Sequence, residues 1–196
     1  MKRFVISDLH LGHVKIRDYE PIRQTWGEDW IGMTDTIINA WSAVVQKEDE
    51  VFVLGDFAMG IPDNIPKYRG RLPGRITLIR GNHDRHPERW LDSSRGDDVY
   101  TQLRISDPVL GTVTMRHDPS HFTPEDRSSS DLLLHGHIHS NPYGFGIPDD
   151  VVAKCRCLSV EVLPTCPGPL EFSLVGDLPV GTLRGKWVEP NHRSSL

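Results

Sequence analysis

The chain has 196 residues, 37% of them hydrophobic and 25% charged, which is an ordinary composition for a globular domain. Its 22 basic and 27 acidic residues give a net charge of −5, which argues against a broad electrostatic grip on nucleic acid. No apolar run approaches the roughly 18 residues of a membrane span, and the N-terminus lacks the apolar region of a signal peptide. We therefore predict one cytoplasmic domain over residues 1–196, with a frayed tail after about residue 185.

In the first half of the chain, short apolar runs that end in polar clusters alternate with segments of helical periodicity. The apolar runs predict buried strands at residues 2–7, 51–54 and 75–79. The segments between them predict a helix at residues 33–46, with Thr34 as its N-cap, and a short helix at residues 63–68.

In the second half, predicted strands follow one another with fewer helices between them. They lie at residues 104–106, 112–115, 131–134, 157–163 and 170–175. Residues 123–131, which contain three consecutive serines, predict a flexible loop. The change from alternation to consecutive strands indicates a mixed sheet, or a pair of sheets, covered by helices, which is an α/β sandwich.

The three cysteines do not predict a disulfide framework, because their number is odd. Cys155 and Cys157 would lie on one face of a strand, with Cys166 apart from them. No second pair completes a thiolate metal site, so we interpret the thiols as structural.

Five polar clusters each follow a predicted strand, and strand ends are where α/β folds present their ligands. They are Asp8-x-His10, Gly55-Asp56, Gly81-Asn82-His83-Asp84, His117 and Gly136-His137-x-His139. Carboxylate, imidazole and amide groups suit divalent ions such as Mn²⁺, Fe²⁺ and Zn²⁺, and their number suffices for two ions. The glycines let a ligand loop turn sharply and let the backbone approach the ion or a phosphate.

In chain order these clusters resemble the D-x-H, G-D, G-N-H-D, H and G-H-x-H motifs of the calcineurin-like metallophosphoesterase superfamily. The resemblance extends from Asp8 to His139, and the surroundings of the first two motifs are similar to those of small bacterial and phage members. It implies a four-layer α/β/β/α sandwich with two mixed sheets flanked by helices. It also implies two divalent metal ions, with Mn²⁺ favoured and Fe²⁺, Zn²⁺, Ni²⁺ or Co²⁺ as alternatives.

The resemblance also implies a role for each motif residue. One ion would be held by Asp8, His10, Asp56 and His139, and the other by Asp56, Asn82, His117 and His137. Asp56 would thus bridge the two ions. His83 would face the phosphate and assist the leaving group, and Asp84 would orient its imidazole. Two ions about 3.5–4 Å apart would activate water and stabilise an in-line displacement at phosphorus.

The fourth motif departs from the family pattern, because Asp118 and Pro119 follow His117. We take His117 as the ligand because it closes an apolar strand, and we expect His121 to line the pocket instead. His13 and Arg85 adjoin metal motifs and fit phosphate contacts and ordinary surface positions equally well. A plain packing or surface role is expected for His86, His135, His192, Trp26, Trp30, Trp41 and Trp90.

The activity implied by the resemblance is that of a metal-dependent phosphodiesterase acting on a small phosphodiester, with cyclic nucleotides, including 2′,3′-cyclic ones, as leading candidates. Alternatives within the superfamily are a phosphomonoesterase, including a protein phosphatase, and a nuclease with nucleic acid as its substrate. A nuclease would need a basic track, which the sequence does not show. A non-catalytic binding scaffold is the alternative from another class, and the presence of His83 argues against it. No membrane partner and no particular oligomeric state are predicted.

Overall fold

The structure is a computed structural model that describes residues 1–141 and 147–179. The predicted frayed tail and His192 lie outside these residues. Within the described part of the chain, no helix is both long enough and apolar enough to cross a membrane.

Among the described residues, the first sheet has five strands, four of them from the N-terminal half of the chain or close to it. In spatial order they are β4 (Asp98–Tyr100), β3 (Arg75–Ile79), β2 (Glu50–Val53), β1 (Arg3–Ile6) and β9 (Leu170–Glu171). β1 to β4 are parallel, and β9 pairs antiparallel with β1. The three central strands are nearly continuous buried runs, as expected where both faces of a parallel sheet are covered.

The second sheet has four strands. In spatial order they are β5 (Leu103–Asp107), β6 (Gly111–Met115), β7 (Leu132–His135) and β8 (Cys155–Cys157). β5 and β6 are antiparallel, whereas β6, β7 and β8 are parallel. Both sheets are therefore mixed, and with their flanking helices they confirm the predicted α/β fold.

The two sheets are joined at the carboxyl end of β1. Ser7 forms a parallel bridge with Ser159, in which the Ser7 N–H donates to Leu158 O at 2.8 Å and the Val160 N–H donates to Ser7 O at 3.0 Å. A single hydrophobic cluster contains side chains of both sheets, including the fully buried Val5 and Leu134. This shared core fixes the position of one sheet against the other.

The helices are α1 (Ile16–Tyr19), α2 (Trp30–Val44), α3 (Ile65–Arg71), α4 (Pro124–Ser129) and α5 (Asp149–Val152). α2 buries its apolar face at helical spacing, which confirms the predicted helix in this region. It begins earlier than predicted because Asp29, not Thr34, is the N-cap and accepts from the Gly32 N–H at 2.8 Å. Thr34 instead donates to Trp30 O at 2.7 Å and accepts from the Gly12 N–H at 3.1 Å.

The predicted loop at residues 123–131 is wrong, because most of it forms α4. Thr123 and Asp126 form a reciprocal capping box: the Thr123 hydroxyl accepts from the Asp126 N–H at 3.1 Å, and the Asp126 carboxylate accepts from the Thr123 N–H at 2.9 Å. These bonds satisfy backbone N–H groups at the start of the helix, and so allow a helix to begin within a serine-rich segment.

The last two predicted strands are largely wrong, and one strand was not predicted. β8 ends at Cys157, because the chain then crosses to pair with β1 at Ser159. β9 has only two residues and is followed by a 3₁₀ helix at Phe172–Asp177. β4 has three residues, with neither end residue buried, so it carries no apolar run.

Candidate metal centre

The predicted ligand residues follow strands of both sheets, at the edge where the sheets are joined. Asp8 and His10 follow β1, Asp56 follows β2, Asn82 follows β3, His117 follows β6, and His137 and His139 follow β7. Parallel strands present their carboxyl ends at one edge of a sheet, and the bridge between Ser7 and Ser159 brings the two edges together. The fold therefore gathers all seven predicted residues in one place.

Asp8, His10 and His139 form a first group whose candidate ligand atoms lie within 4.8 Å of one another. Asp8 and His10 are buried, and His139 Nε2 lies 3.9 Å from Asp8 Oδ1. Ser159 Oγ donates to Asp8 Oδ2 at 2.7 Å, and the backbone N–H of His137 lies 3.1 Å from Oδ1 and 3.0 Å from Oδ2. The carboxylate of Asp8, which follows β1 of the first sheet, is thus held by donors that follow strands of the second sheet.

A second group contains Asp8, Asp56 and His117, whose candidate ligand atoms also lie within 4.8 Å of one another. Asn82 Oδ1 lies 2.9 Å from His117 Nε2 and 3.1 Å from His137 Nδ1. The oxygen of Asn82 and the two imidazole nitrogens therefore point toward the same small volume.

Asp56 lies between the two groups. Its Oδ2 atom is 3.6 Å from Nε2 of His10 and 3.5 Å from Nε2 of His117. A carboxylate that faces one histidine of each group is placed as a bridging ligand would be. Asp8 is the residue that the two groups have in common, and Asp56 of the second group approaches His10 of the first.

The buried imidazole of His10 shows whether these residues fit a metal ion. Both of its ring nitrogens are buried, and neither has a hydrogen-bond partner among the described residues. Burial lowers the pKa of His10 well below its usual value, so the ring is neutral near neutral pH. A neutral buried imidazole without a hydrogen bond is costly unless its lone pair has another partner. Together with the surrounding carboxylates, it fits a divalent cation.

Asp56 and His117 share a proton-dependent contact. Burial opposes ionisation of Asp56, but His117 outweighs it and holds the pKa of Asp56 well below its usual range. Burial also opposes the charged form of His117, but Asp56 and Asp8 outweigh it and raise the pKa of His117 to about 9. In the absence of a cation, a proton on His117 therefore compensates the carboxylate charge, and a metal ion would have to displace it.

The backbone is strained at most of these positions. Asp8, His10, Asp56, His137 and His139 have φ values of 57°, 48°, 54°, 72° and 52°. A positive φ is unfavourable for residues with a side chain and persists where the surrounding structure enforces it. Because it recurs at five of the seven predicted ligands, the backbone here is shaped by the position of the side chains.

Two glycines are required by the crowding around the carboxylates. A methyl group on Gly81 would overlap Oδ1 of Asp56, and one on Gly136 would overlap Ser7 Oγ and Asp8 Oδ2. The predicted reason for glycine was a sharp turn and a close approach of the backbone. The structure shows a close approach to the candidate ligands at Gly81 and Gly136, and a backbone with a φ of 94° at Gly55.

His83 lies at the border of the cluster, where its side chain is 38% exposed. Its Nε2 atom is 4.0 Å from Asp56 Oδ2, and its ring centroid is 5.5 Å from that of His10. A partly exposed imidazole beside both groups can reach a substrate held between them.

Asp84 does not make the expected contact with the imidazole of His83. Its carboxylate accepts backbone N–H bonds from Asp56 and Gly81, both at 2.8 Å, and from Phe57 at 2.9 Å. Burial raises its pKa even though these bonds favour the charged form. Asp84 therefore ties the second motif to the third and positions Asp56 rather than His83.

Glu161 and Arg23 were not predicted as part of the site, although they support it directly. Glu161 Oε1 is 3.0 Å from His139 Nδ1 and accepts from Arg23 Nε at 2.6 Å. The fully buried Arg23 also donates to the backbone oxygens of Asp8 and Leu9. Both residues lie outside the motifs, and no spacing in the sequence connects them to the ligands.

Asp118 gives a structural reason for the departure in the fourth motif. Its Oδ2 atom is 3.6 Å from His137 Nε2, while Nδ1 of His137 lies on the side of Asn82. The carboxylate can therefore orient the ring of His137. The unusual residue after His117 was the available signal, although the sequence did not show which side chain it would contact.

The remaining histidines and the cysteines lie outside the two groups. His121 has a 70% exposed side chain, 3.9 Å from Asp118, and His86 pairs at the surface with Glu88. His135 is buried, with Nδ1 2.7 Å from Gly136 O. The three cysteines are free thiols, and burial raises the pKa of Cys157 to about 12, which fits the structural role expected for them.

Comparison with known proteins identifies the family and several similar proteins. The family model described as calcineurin-like phosphoesterase matches residues 1–146. The Gene 66 protein of Mycobacterium phage D29 is 33% identical over 160 residues, which cover 68% of this chain and 76% of the phage protein. The uncharacterized protein MJ1445 of Methanocaldococcus jannaschii is 35% identical over 179 residues, covering 87% of this chain and 88% of that protein.

A solved structure supports the fold independently. The crystal structure of AQ665, a protein of unknown function from Aquifex aeolicus, superposes with a TM-score of 0.68 at 23% identity. The match covers 90% of this chain and 98% of the Aquifex chain. The residues matched by the family model include every candidate metal ligand described above. The chain belongs to the calcineurin-like phosphoesterase family, whose members are metal-dependent hydrolases.

Proposed function

We propose that the protein is a phosphodiesterase with two divalent metal ions, and that it hydrolyses small phosphodiesters such as 2′,3′-cyclic nucleotides. The observation that carries the proposal is the position of Asp56 between His10 and His117, one from each ligand group. A site for one ion would not need a carboxylate shared between two such groups.

The ligand roles in this proposal follow the two groups. Asp8, His10, Asp56 and His139 would hold one ion, and Asp56, Asn82, His117 and His137 the other. Bound divalent ions would supply Lewis-acid activation of water and stabilisation of charge on the phosphate oxygens. We propose Mn²⁺ because carboxylate, amide and imidazole ligands together suit it.

His83 is the proposed proton donor to the leaving oxygen. Its imidazole is exposed enough to meet a substrate and close enough to Asp56 to act on a phosphate held at the ligand groups. A protonated imidazole at this position can donate its proton to the leaving oxygen. Asp84 acts indirectly, because it holds the backbone of Asp56 and Phe57 in place.

A preference for diesters is supported by the space beside His83. A cavity of about 840 Å³ has His83 in its wall and can receive the organic group on one side of the phosphorus. The cytoplasmic location stays a prediction from the sequence.

Hydrolysis of two artificial substrates by metal-stripped protein, with and without Mn²⁺, tests the proposal. Manganese-dependent cleavage of bis-p-nitrophenyl phosphate, faster than that of p-nitrophenyl phosphate, is the expected result. A preference for the monoester would identify a phosphatase instead. Metal binding without cleavage of either substrate would favour the scaffold.

A further inference from the structure

The cavity beside His83 has two chemically different walls. It occupies about 840 Å³, a volume suited to a small organic ligand, and it extends away from the metal-ligand groups between the first motif and the segment that follows β3. His13 and His83 line the end nearest the ligand groups, since the rings of both lie 5.5 Å from that of His10. A phosphoester held at the ligand groups can therefore extend its organic arm into this space.

One wall of the cavity is apolar and firmly held. Met59, Ile65, Pro66 and Trp90 contribute to it. Trp90 stacks on Phe57 with ring centroids 4.5 Å apart and an interplanar angle of 11°. Since Phe57 directly follows Asp56, this wall keeps a fixed position relative to the candidate metal ligands. A flat ring is the kind of group that such a wall accommodates.

The other lining residues give the cavity an excess of positive charge. Lys15, Arg85 and Arg89 are exposed at its border, and none forms an ion pair within residues 1–141 and 147–179. Two carboxylates line the cavity. Asp84 is engaged by backbone N–H groups, so Asp63 is the carboxylate that remains to offset the positive charge. In a protein with a net charge of −5, three unpaired cations around one cavity indicate an anionic ligand.

We propose that this cavity binds the nucleoside arm of the substrate and that the arm carries a second phosphate, remote from the ester that is cleaved. The ring of the base lies along the apolar wall, and Lys15, Arg85 and Arg89 bind the second phosphate. This inference rests on the proposed phosphodiesterase function and narrows its substrate class to nucleotides with an additional phosphate.

Two cyclic substrates that differ by one phosphate test the inference. They are adenosine 2′,3′-cyclic phosphate and the same compound with a 5′-phosphate. The scissile ring is identical in both, so the ratio of their kcat/KM values with the Mn²⁺-loaded protein reports the second phosphate alone. We expect the 5′-phosphorylated compound to be preferred by about tenfold or more, chiefly through a lower KM, as for charge-assisted hydrogen bonds to phosphate.

Neutral variants locate the effect. Arg85→Gln and Arg89→Gln are each expected to reduce the preference several-fold. Lys47→Gln makes the same change of charge at an exposed position outside the cavity, so it should leave the preference unchanged. Calorimetric binding of adenosine 3′,5′-bisphosphate, compared with adenosine 3′-monophosphate, gives a second readout that does not depend on turnover.

The outcomes separate this inference from the function on which it rests. Equal kcat/KM for the two cyclic compounds, with both cleaved, overturns the inference and leaves the phosphodiesterase intact. A preference that Lys47→Gln reduces as much as Arg89→Gln does overturns it as well, because long-range charge would then be the cause. If no diester is cleaved, the phosphodiesterase fails, and equal binding of the bisphosphate and the monophosphate then overturns the cavity assignment independently.

Discussion

Glu161 accepts a hydrogen bond from Nδ1 of His139 at 3.0 Å, with its carboxylate only 1% exposed. Burial opposes ionisation of Glu161, but His139 and Arg23 outweigh it and lower the pKa of the carboxyl. Because an ionised carboxylate can only accept, the ring proton lies on Nδ1. Nε2 then faces Asp8, 3.9 Å away, where its lone pair is available to a metal ion that displaces any proton held there.

We expect Glu161→Gln to weaken Mn²⁺ binding by about 10–100-fold, because the amide holds the His139 tautomer less firmly. Calorimetric titration of the metal-stripped protein measures the change. Glu48→Gln, at an exposed position, removes the same charge and should bind Mn²⁺ as the unaltered protein does. Unchanged affinity in Glu161→Gln would show that the hydrogen bond serves only the fold.

His83→Ala is expected to separate metal binding from turnover. Because His83 lies outside both ligand groups, the variant should keep its Mn²⁺ stoichiometry while kcat falls by about 10²–10⁴-fold. Metal analysis and steady-state kinetics on the same preparation measure both quantities. Asp56→Ala is the comparison, since it should lose the metal itself; normal turnover in His83→Ala would remove the histidine from the reaction.

Gly81→Ala is expected to abolish tight metal binding, because the added methyl group would overlap Oδ1 of Asp56. Gly70→Ala is the matched control: its methyl group meets nothing within 4 Å, and it lies in α3. That control should stabilise the fold by about 0.5–1 kcal/mol and leave metal affinity unchanged. Thermal unfolding and Mn²⁺ titration of both variants check this, and equal metal affinities would contradict it.

Asp126 should contribute stability that depends on pH. Burial opposes its ionisation, but hydrogen bonds from Thr123 and the ion pair with Arg116 outweigh it and lower its pKa to about 2. Because the folded pKa lies below the unfolded one, the contribution is complete above about pH 4 and is lost as the pH falls toward 2.

For this reason Asp126→Asn should reduce the free energy of unfolding by about 2 kcal/mol near pH 7. Urea unfolding of both proteins between pH 2 and pH 7 measures the difference, which should shrink below pH 4. A difference that stays constant over this range would mean that geometry, not charge, makes Asp126 important.

The strands that end in motif residues could be predicted because their signal is local. β1, β2 and β3 are largely apolar runs, and each is followed within three residues by a candidate ligand such as Asp8 or Asp56. The start of α2 was missed because Asp29 and Thr34 are both reasonable caps. The hydroxyl of Thr34 accepts a hydrogen bond from the backbone N–H of Gly12, which is distant in sequence, so this contact could not be foreseen.

The supporting residues of the site could not be predicted, because their signal is not local. Glu161 reaches His139 only after the chain has crossed from β8 to β1, at the bridge between Ser7 and Ser159. The family resemblance likewise implied that Asp84 orients His83, whereas its partners are backbone N–H groups, including those of Asp56 and Phe57. Contacts made across sheets become visible only when the packing is known.

The meeting of two sheets at one cluster of carboxylates and imidazoles links ligand occupancy to global folding. Asp56 follows β2 of the first sheet and His117 follows β6 of the second, so a cation between them is held only while the sheets stay together. Separation of the sheets and release of the cation are then one thermodynamic event. By mass action, the unfolding midpoint should rise with the logarithm of free cation concentration, and a chelator should lower it to that of the metal-free protein.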